Sequence, residues 1–144
     1  MVNVSEKAVT KRSAKAQAIV KVGPEIISLI QADELISKKG PVFQTAILAG
    51  IMGAKKTSDL IPLCHPLGLE DCQVNIRIEE DQIVITSLAT LSAKTGVEME
   101  ALTAVTVAAL TIYDMCKAMS HEIVIQDIRL LEKTGGKKDF KRST

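Results

Sequence analysis

Residues 14–22, AKAQAIVKV, set Ala14, Ala16, Ala18, Val20 and Val22 against Lys15, Gln17 and Lys21. That two-residue period predicts a strand with one buried face, interrupted only by Ile19. Gly23-Pro24 then opens PEIISLIQADELI (24–36), whose apolar residues recur at three and four. This predicts a helix, because proline at the first helical position loses no hydrogen bond. A second Gly-Pro, Gly40-Pro41, introduces VFQTAILAGIMGAKK (42–56), which is too long for a strand. Its small residues Ala46, Ala49, Gly50 and Gly53 suit a helix packed closely on a neighbour. TSDLIPLCHPLGLED (57–71) reads as loop, since Pro62 and Pro66 forbid regular helix. In 72–91, Val74, Ile76 and Ile78 alternate with Asn75, Arg77 and Glu79 before a polar turn at Glu80-Asp81, the pattern of a hairpin. The longest helix lies within 94–119, and 122–133 forms a last strand with an irregularity at Gln126-Asp127. The basic tail from 134 is expected to be mobile unless a ligand orders it.

The order is strand, helix, helix, strand, strand, helix, strand. With one helix treated as an addition, this is the split β-α-β-β-α-β pattern of a ferredoxin-like α+β fold, in one domain over 1–144. Helices cover one face of such a sheet. Imperfect alternation beyond Ile85, with Leu88, Ala89 and Leu91, predicts that a partner subunit covers the other.

Composition narrows the functional classes. The apolar fraction of 47% comes mainly from Ala, Val, Ile and Leu, with no Trp, two Phe and one Tyr. Nucleic-acid binding through stacked bases needs aromatic platforms and is therefore not expected. A net charge of +1, from 18 basic and 17 acidic residues, provides no field to draw DNA or an anionic membrane. Cys64, Cys72 and Cys116 form no C-x-x-C pair, and an odd number suits a reducing compartment. MVNVSEKAVTKRS lacks the apolar block of a signal peptide, and no uninterrupted apolar run spans a bilayer. A soluble, cytoplasmic protein is the expectation.

Between Val97 and Lys117 the only charged residues are Glu98, Glu100, Asp114 and Lys117, and apolar side chains point in every direction. A helix of that kind is buried on all sides, which makes its charges informative. Each also has an ordinary structural explanation. Thr95 and Glu98 match a capping box, and Glu100 suits the positive end of the helix dipole. Asp114 and Lys117 are spaced for a simple ion pair. Glu100 and Asp114 point within roughly 40° of each other but lie about 21 Å apart along the axis. Both can serve one small ligand only if a neighbouring chain brings its own helix start to this helix end, as a two-fold dimer allows.

The loop LIPLCHPL holds His65 between prolines. Adjacent Cys64 invites a metal reading, but neighbouring side chains in extended chain point apart and zinc spacing is absent. A rigid loop presenting an imidazole and backbone polar groups is better suited to a heterocycle or phosphate. Lys39 beside a helix start, Arg12, Lys55, Lys56, Lys133, Lys137 and Lys138 are candidate phosphate ligands, although each alone reads as a solvated surface charge. No Walker A or dinucleotide fingerprint occurs.

GAKKTSDLIPLCHPL, AKTGVEMEALTAVTVAALTIYDMCKA and RLLEKTGGKKDF resemble the signatures of the MoaC family, along nearly the whole chain. The resemblance implies a cyclic pyranopterin monophosphate synthase of molybdenum cofactor biosynthesis, with a ferredoxin-like fold. It implies a hexamer, a trimer of dimers, with active sites at subunit interfaces. The implied substrate is the cyclised GTP intermediate 3′,8-cyclo-7,8-dihydro-GTP, and diphosphate leaves in the reaction. By the same resemblance Asp114 and Lys117 form the catalytic pair, while Leu63, Cys64, His65, Met99 and Glu100 contact substrate. Lys39 matches a functional lysine of the family, and Arg12, on its charge and not by the resemblance, is expected to join it in binding the triphosphate. No cofactor is implied beyond Mg²⁺ that accompanies the triphosphate. The chain departs from the family pattern at Pro41, Lys56 and Ala93. Two other readings compete: a ligand-binding regulatory module with a structural Asp114–Lys117 pair, and a metalloprotein built on Cys64 and His65.

Overall fold

The computed structural model describes residues 1–143. Strand β1 (Thr10–Lys21) lies at the centre of an antiparallel sheet. On one side it pairs along its whole length with β5 (Gln82–Ala93), which pairs in turn with β4 (Asp71–Glu79). On its other side are β6 (Val124–Thr134) and the short β7 (Phe140–Lys141), giving the order β4-β5-β1-β6-β7. Helix α2 (Val42–Lys55) packs on β4, and α4 (Glu98–Cys116) crosses β1, β5 and β6. Without β7 this is the ferredoxin-like α+β arrangement expected from the sequence.

Alternation explains the layers. Ala14, Ala16, Ala18 and Val20 of β1 join Ile83, Ile85, Ala89 and Leu91 of β5 in the core beneath α4. The buried Ser87 hydroxyl donates to the Ala101 carbonyl at 2.7 Å, which ties sheet to helix. Small residues of α2 permit its contact with α4. A Cβ on Gly53 would lie 2.7 Å from Val107 Cγ2, and one on Gly50 would lie 2.8 Å from the Ala104 carbonyl. Ala89 and Leu91 therefore belong to the core and not to a partner-facing surface; of the residues expected there, Leu88 alone points to the uncovered face. Gln126-Asp127 is irregular as expected: Asp127 has φ 54° and the β1–β6 register shifts between Gln17 and Ile19.

The segment 24–36 differs most from its expected helix. Helix α1 spans only Pro24–Ile27. The chain then reverses through Ala32 (φ 51°) and Asp33 (φ 60°), with Gln31 and Glu34 exchanging backbone hydrogen bonds of 2.9 and 3.0 Å. Two left-handed residues inside such a pair make a tight turn, which Asp tolerates and Ala does not advertise. Short strands β2 (Ile36–Ser37) and β3 (Gly40–Pro41) follow. The reversal buries Leu35 and aims the Glu34 carboxylate at the start of α2, where it accepts from Phe43 N–H (2.7 Å) and Gln44 N–H (3.1 Å). Pro41, the residue before the helix, has no side-chain acceptor, so the cap comes from the preceding hairpin.

Other expectations shift by smaller amounts. Before Pro62 the chain makes one helical turn, α3 (Thr57–Leu60). The tail folds back as β7 against Glu132 and Lys133 of β6. Gly135 (φ 89°) permits this, since a Cβ there would sit 1.9 Å from the Lys11 carbonyl. The Thr95–Glu98 capping box does not form: Val97 precedes the helix without a side-chain cap, and Glu98 approaches Lys133 at 3.9 Å. Helix α4 is not enclosed on every side, because Met99 and Leu110 remain exposed along one stripe.

Burial alone would push the Glu34 carboxyl up, but the amides of Phe43, Leu35, Gln44 and Val42 outweigh it and hold its pKa below the ordinary value of 4.5. A depressed folded-state pKa gives stability that is present above the unfolded value and lost as pH falls through the folded one. Glu34→Ala is expected to cost about 1–2 kcal/mol in urea denaturation at neutral pH. Its stability should also fall less steeply than wild type on the acid side.

Candidate functional site

The two ends of α4 carry different chemistry. At its C-terminal end Asp114 Oδ1 lies 3.2 Å from Lys117 Nζ, one helical step away, and Oδ2 lies 2.9 Å from Lys39 Nζ. Lys39 also donates to the Asp114 carbonyl at 3.5 Å. It is carried by the turn between β2 and β3, so the unexpected hairpin is what brings it here. The cluster borders a cavity of about 280 Å³, together with Ser37 and Met119. Hydrogen bonds from Lys39, then Lys117, hold the Asp114 carboxyl below the usual carboxylate range, although its side chain is 51% exposed. Exposed ion pairs contribute little stability, so the folding of the chain does not require this cluster.

At the N-terminal end, Leu63, Cys64 and His65 of the loop meet Met99 and Glu100 of α4 around a cavity of about 300 Å³. A turn closed by Cys64 N–H to the Ile61 carbonyl (3.1 Å) shapes the loop, and Cys64 and His65 both border the cavity. Glu100 is 4% exposed. Burial, and secondarily the charge of Glu98, pushes its carboxyl up, while a bond from its own backbone amide partly offsets them. Burial, followed by Glu100, also raises the Cys64 thiol. A thiol kept protonated is a poor metal ligand. Cys116 is further from use: burial pushes it up to about 11.

Arg12 donates from Nε to the Ala93 carbonyl at 3.1 Å and borders an adjoining cavity with Gly135, Gly136 and Lys137. The structure thus gathers the nine candidate residues into three places. Leu63, Cys64, His65, Met99 and Glu100 share one cavity, Arg12 lies beside it, and Lys39, Asp114 and Lys117 share another. Lys39 does not serve the helix start beside it, where Glu34 already occupies the α2 amides. Sequence reasoning missed the N-terminal segment, from which Val2, Val4 and Lys7 line the Glu100 cavity. Residues 1–9 show no periodicity that would have marked them.

An α+β protein of ferredoxin-like topology, with cavities sized for a small molecule at both ends of its central helix, is the class that fold and geometry define. The chain belongs to the MoaC family, whose sequence model matches residues 1–136. The family places it among the enzymes of molybdenum cofactor biosynthesis.

An acid with a raised folded-state pKa stabilises the fold below its unfolded pKa, and that contribution is lost as pH rises through the folded value. Glu100→Gln, a neutral isostere, is expected to raise the denaturation midpoint at neutral pH and to flatten its decline across the range from ordinary glutamate titration upward. Urea melts of both proteins at a series of pH values check this.

Proposed function

We propose that this protein converts 3′,8-cyclo-7,8-dihydro-GTP into cyclic pyranopterin monophosphate with release of diphosphate, as a lyase of the cytoplasm. Family membership supports this reading. The observation that carries it to particular residues is the Asp114 carboxylate bonded by both Lys39 and Lys117 beside a cavity. Rebuilding a purine-derived ring as a pyranopterin requires repeated proton transfers, and a carboxylate between two amines supplies both acceptor and donors. Closing the cyclic phosphate requires a sugar hydroxyl to attack the α-phosphorus. Its proton passes to a base while the bond to the bridging oxygen breaks and diphosphate leaves. Cations must stabilise the charge that develops there.

In this reading Asp114 and Lys117 move protons, and Lys39, bonded to Asp114, binds beside them. Leu63, Cys64, His65, Met99 and Glu100 hold the base and sugar. Arg12, with Lys133 and Lys137, takes the triphosphate, and Mg²⁺ travels with it. No step is assigned to a resident cofactor. Glu100 and Asp114 of one chain lie about 21 Å apart along α4, too far for one small substrate. Each active site is therefore completed by a second copy, in a hexamer built as a trimer of dimers. Met99 (37% exposed) and Leu110 (56%) on the open stripe of α4 support such an interface.

Incubating the purified protein with the cyclised intermediate should yield diphosphate and the pterin product; no release would overturn the assignment. Asp114→Asn and Lys117→Ala should each lower kcat by roughly 10²–10⁴-fold while the protein stays folded and still binds substrate. A regulatory module would instead show no turnover in any form. Single-turnover kinetics with circular dichroism separates the two.

A further inference from the structure

The segment before β1 lies outside every helix and strand, yet it is folded against the Glu100 cavity. Within it, Ser5 N–H donates to Asn3 Oδ1 at 2.9 Å and Lys7 N–H to the Val4 carbonyl at 3.0 Å. Two side chains pin it from outside. His65 Nε2 donates to the Val2 carbonyl at 2.6 Å, and Lys94 Nζ donates to the Ser5 carbonyl at 3.3 Å. Apolar burial contributes little to the docking, since Val2 is 70% exposed and Val4 is only half-buried. Polar bonds to backbone oxygens hold the strap, and they fix where Lys7 emerges.

Lys7 borders two cavities at once. One contains His65 and Glu100, and the other contains Arg12, Gly136 and Lys137. Among the described residues Lys7 forms no salt bridge, unlike Lys39, Lys117 and Lys133. An amine without an acidic partner, standing where a cavity for a heterocycle meets one bordered by Arg12 and Lys137, is placed to receive an anion that passes from one to the other. We propose that Lys7 is a further substrate-binding residue, which holds the phosphate chain of a nucleotide where it leaves the His65 cavity for the Arg12 cavity. This rests on the triphosphate reading above.

The test uses binding and not turnover. Isothermal titration with GTP, inorganic triphosphate and guanosine is compared for wild type, Lys7→Ala and Lys7→Arg. Lys7→Ala should weaken GTP and triphosphate by about tenfold or more, the scale of one charged hydrogen bond, and leave guanosine unchanged. Lys7→Arg should restore most of the loss, and the difference should shrink as salt rises. Unchanged phosphate binding in Lys7→Ala would overturn the inference. So would equal weakening of guanosine, which would make the strap a mere wall, or failure of wild type to bind either phosphate compound. A protein that holds triphosphate through Lys7 but releases no diphosphate from the cyclised intermediate would overturn the assigned reaction and leave Lys7 in place.

Discussion

The apolar middle of α4 constrains everything around it. From Ala101 to Tyr113 the helix carries no charge, and most of that stretch is buried against β1, β5 and α2. A charge placed there would meet a desolvation penalty with no partner to offset it. Ionisable groups are therefore confined to the helix ends, where loops and the β2–β3 turn can reach them. The core thus keeps the candidate residues of α4 in two separate clusters, one at each end of the helix.

That division explains why two carboxylates on one helix behave differently. Asp114 is exposed and bonded by Lys39 and Lys117, which hold its pKa down. Glu100 is buried near Glu98 and has no cation bonded to it among the described residues, so its pKa goes up. Groups on one element whose environments push their pKa values apart are suited to different tasks in acid–base chemistry. Glu34 shows the contrasting structural use of an acid. Its depressed pKa comes from amides at a helix start, and it faces no site cavity.

Much of the framework was legible because it rests on periodicity. The Ala-Val alternation of β1, the 72–91 hairpin, α2 and α4 each bury one periodic set of side chains, and the structure places them close to their expected bounds. The segment 24–36 was not legible, since its apolar spacing mimics a helix. What decides it is a tertiary demand: Leu35 must enter the core while Glu34 reaches across to Phe43 and Gln44. Glu98 likewise fits a capping pattern but turns toward Lys133, a contact that exists only once β6 is in place. The grouping of Leu63, Cys64 and His65 with Met99 and Glu100 followed from motif resemblance. The N-terminal strap and the pairing of Lys39 with Asp114 depend on long-range folding that leaves no local trace.

Two half-sites at opposite ends of a rigid helix lead to one proposition, that a second copy supplies the missing half. Subunit complementation tests it most directly. Asp114→Asn and Glu100→Gln proteins, each first assayed alone and chosen for its loss of activity, are unfolded together, refolded and assayed for diphosphate release. Shared sites predict that mixed dimers regain one intact site each, restoring activity to about a quarter of wild type at equal mixing. A mixture as inactive as its separate components, although mixed oligomers have formed, would contradict it.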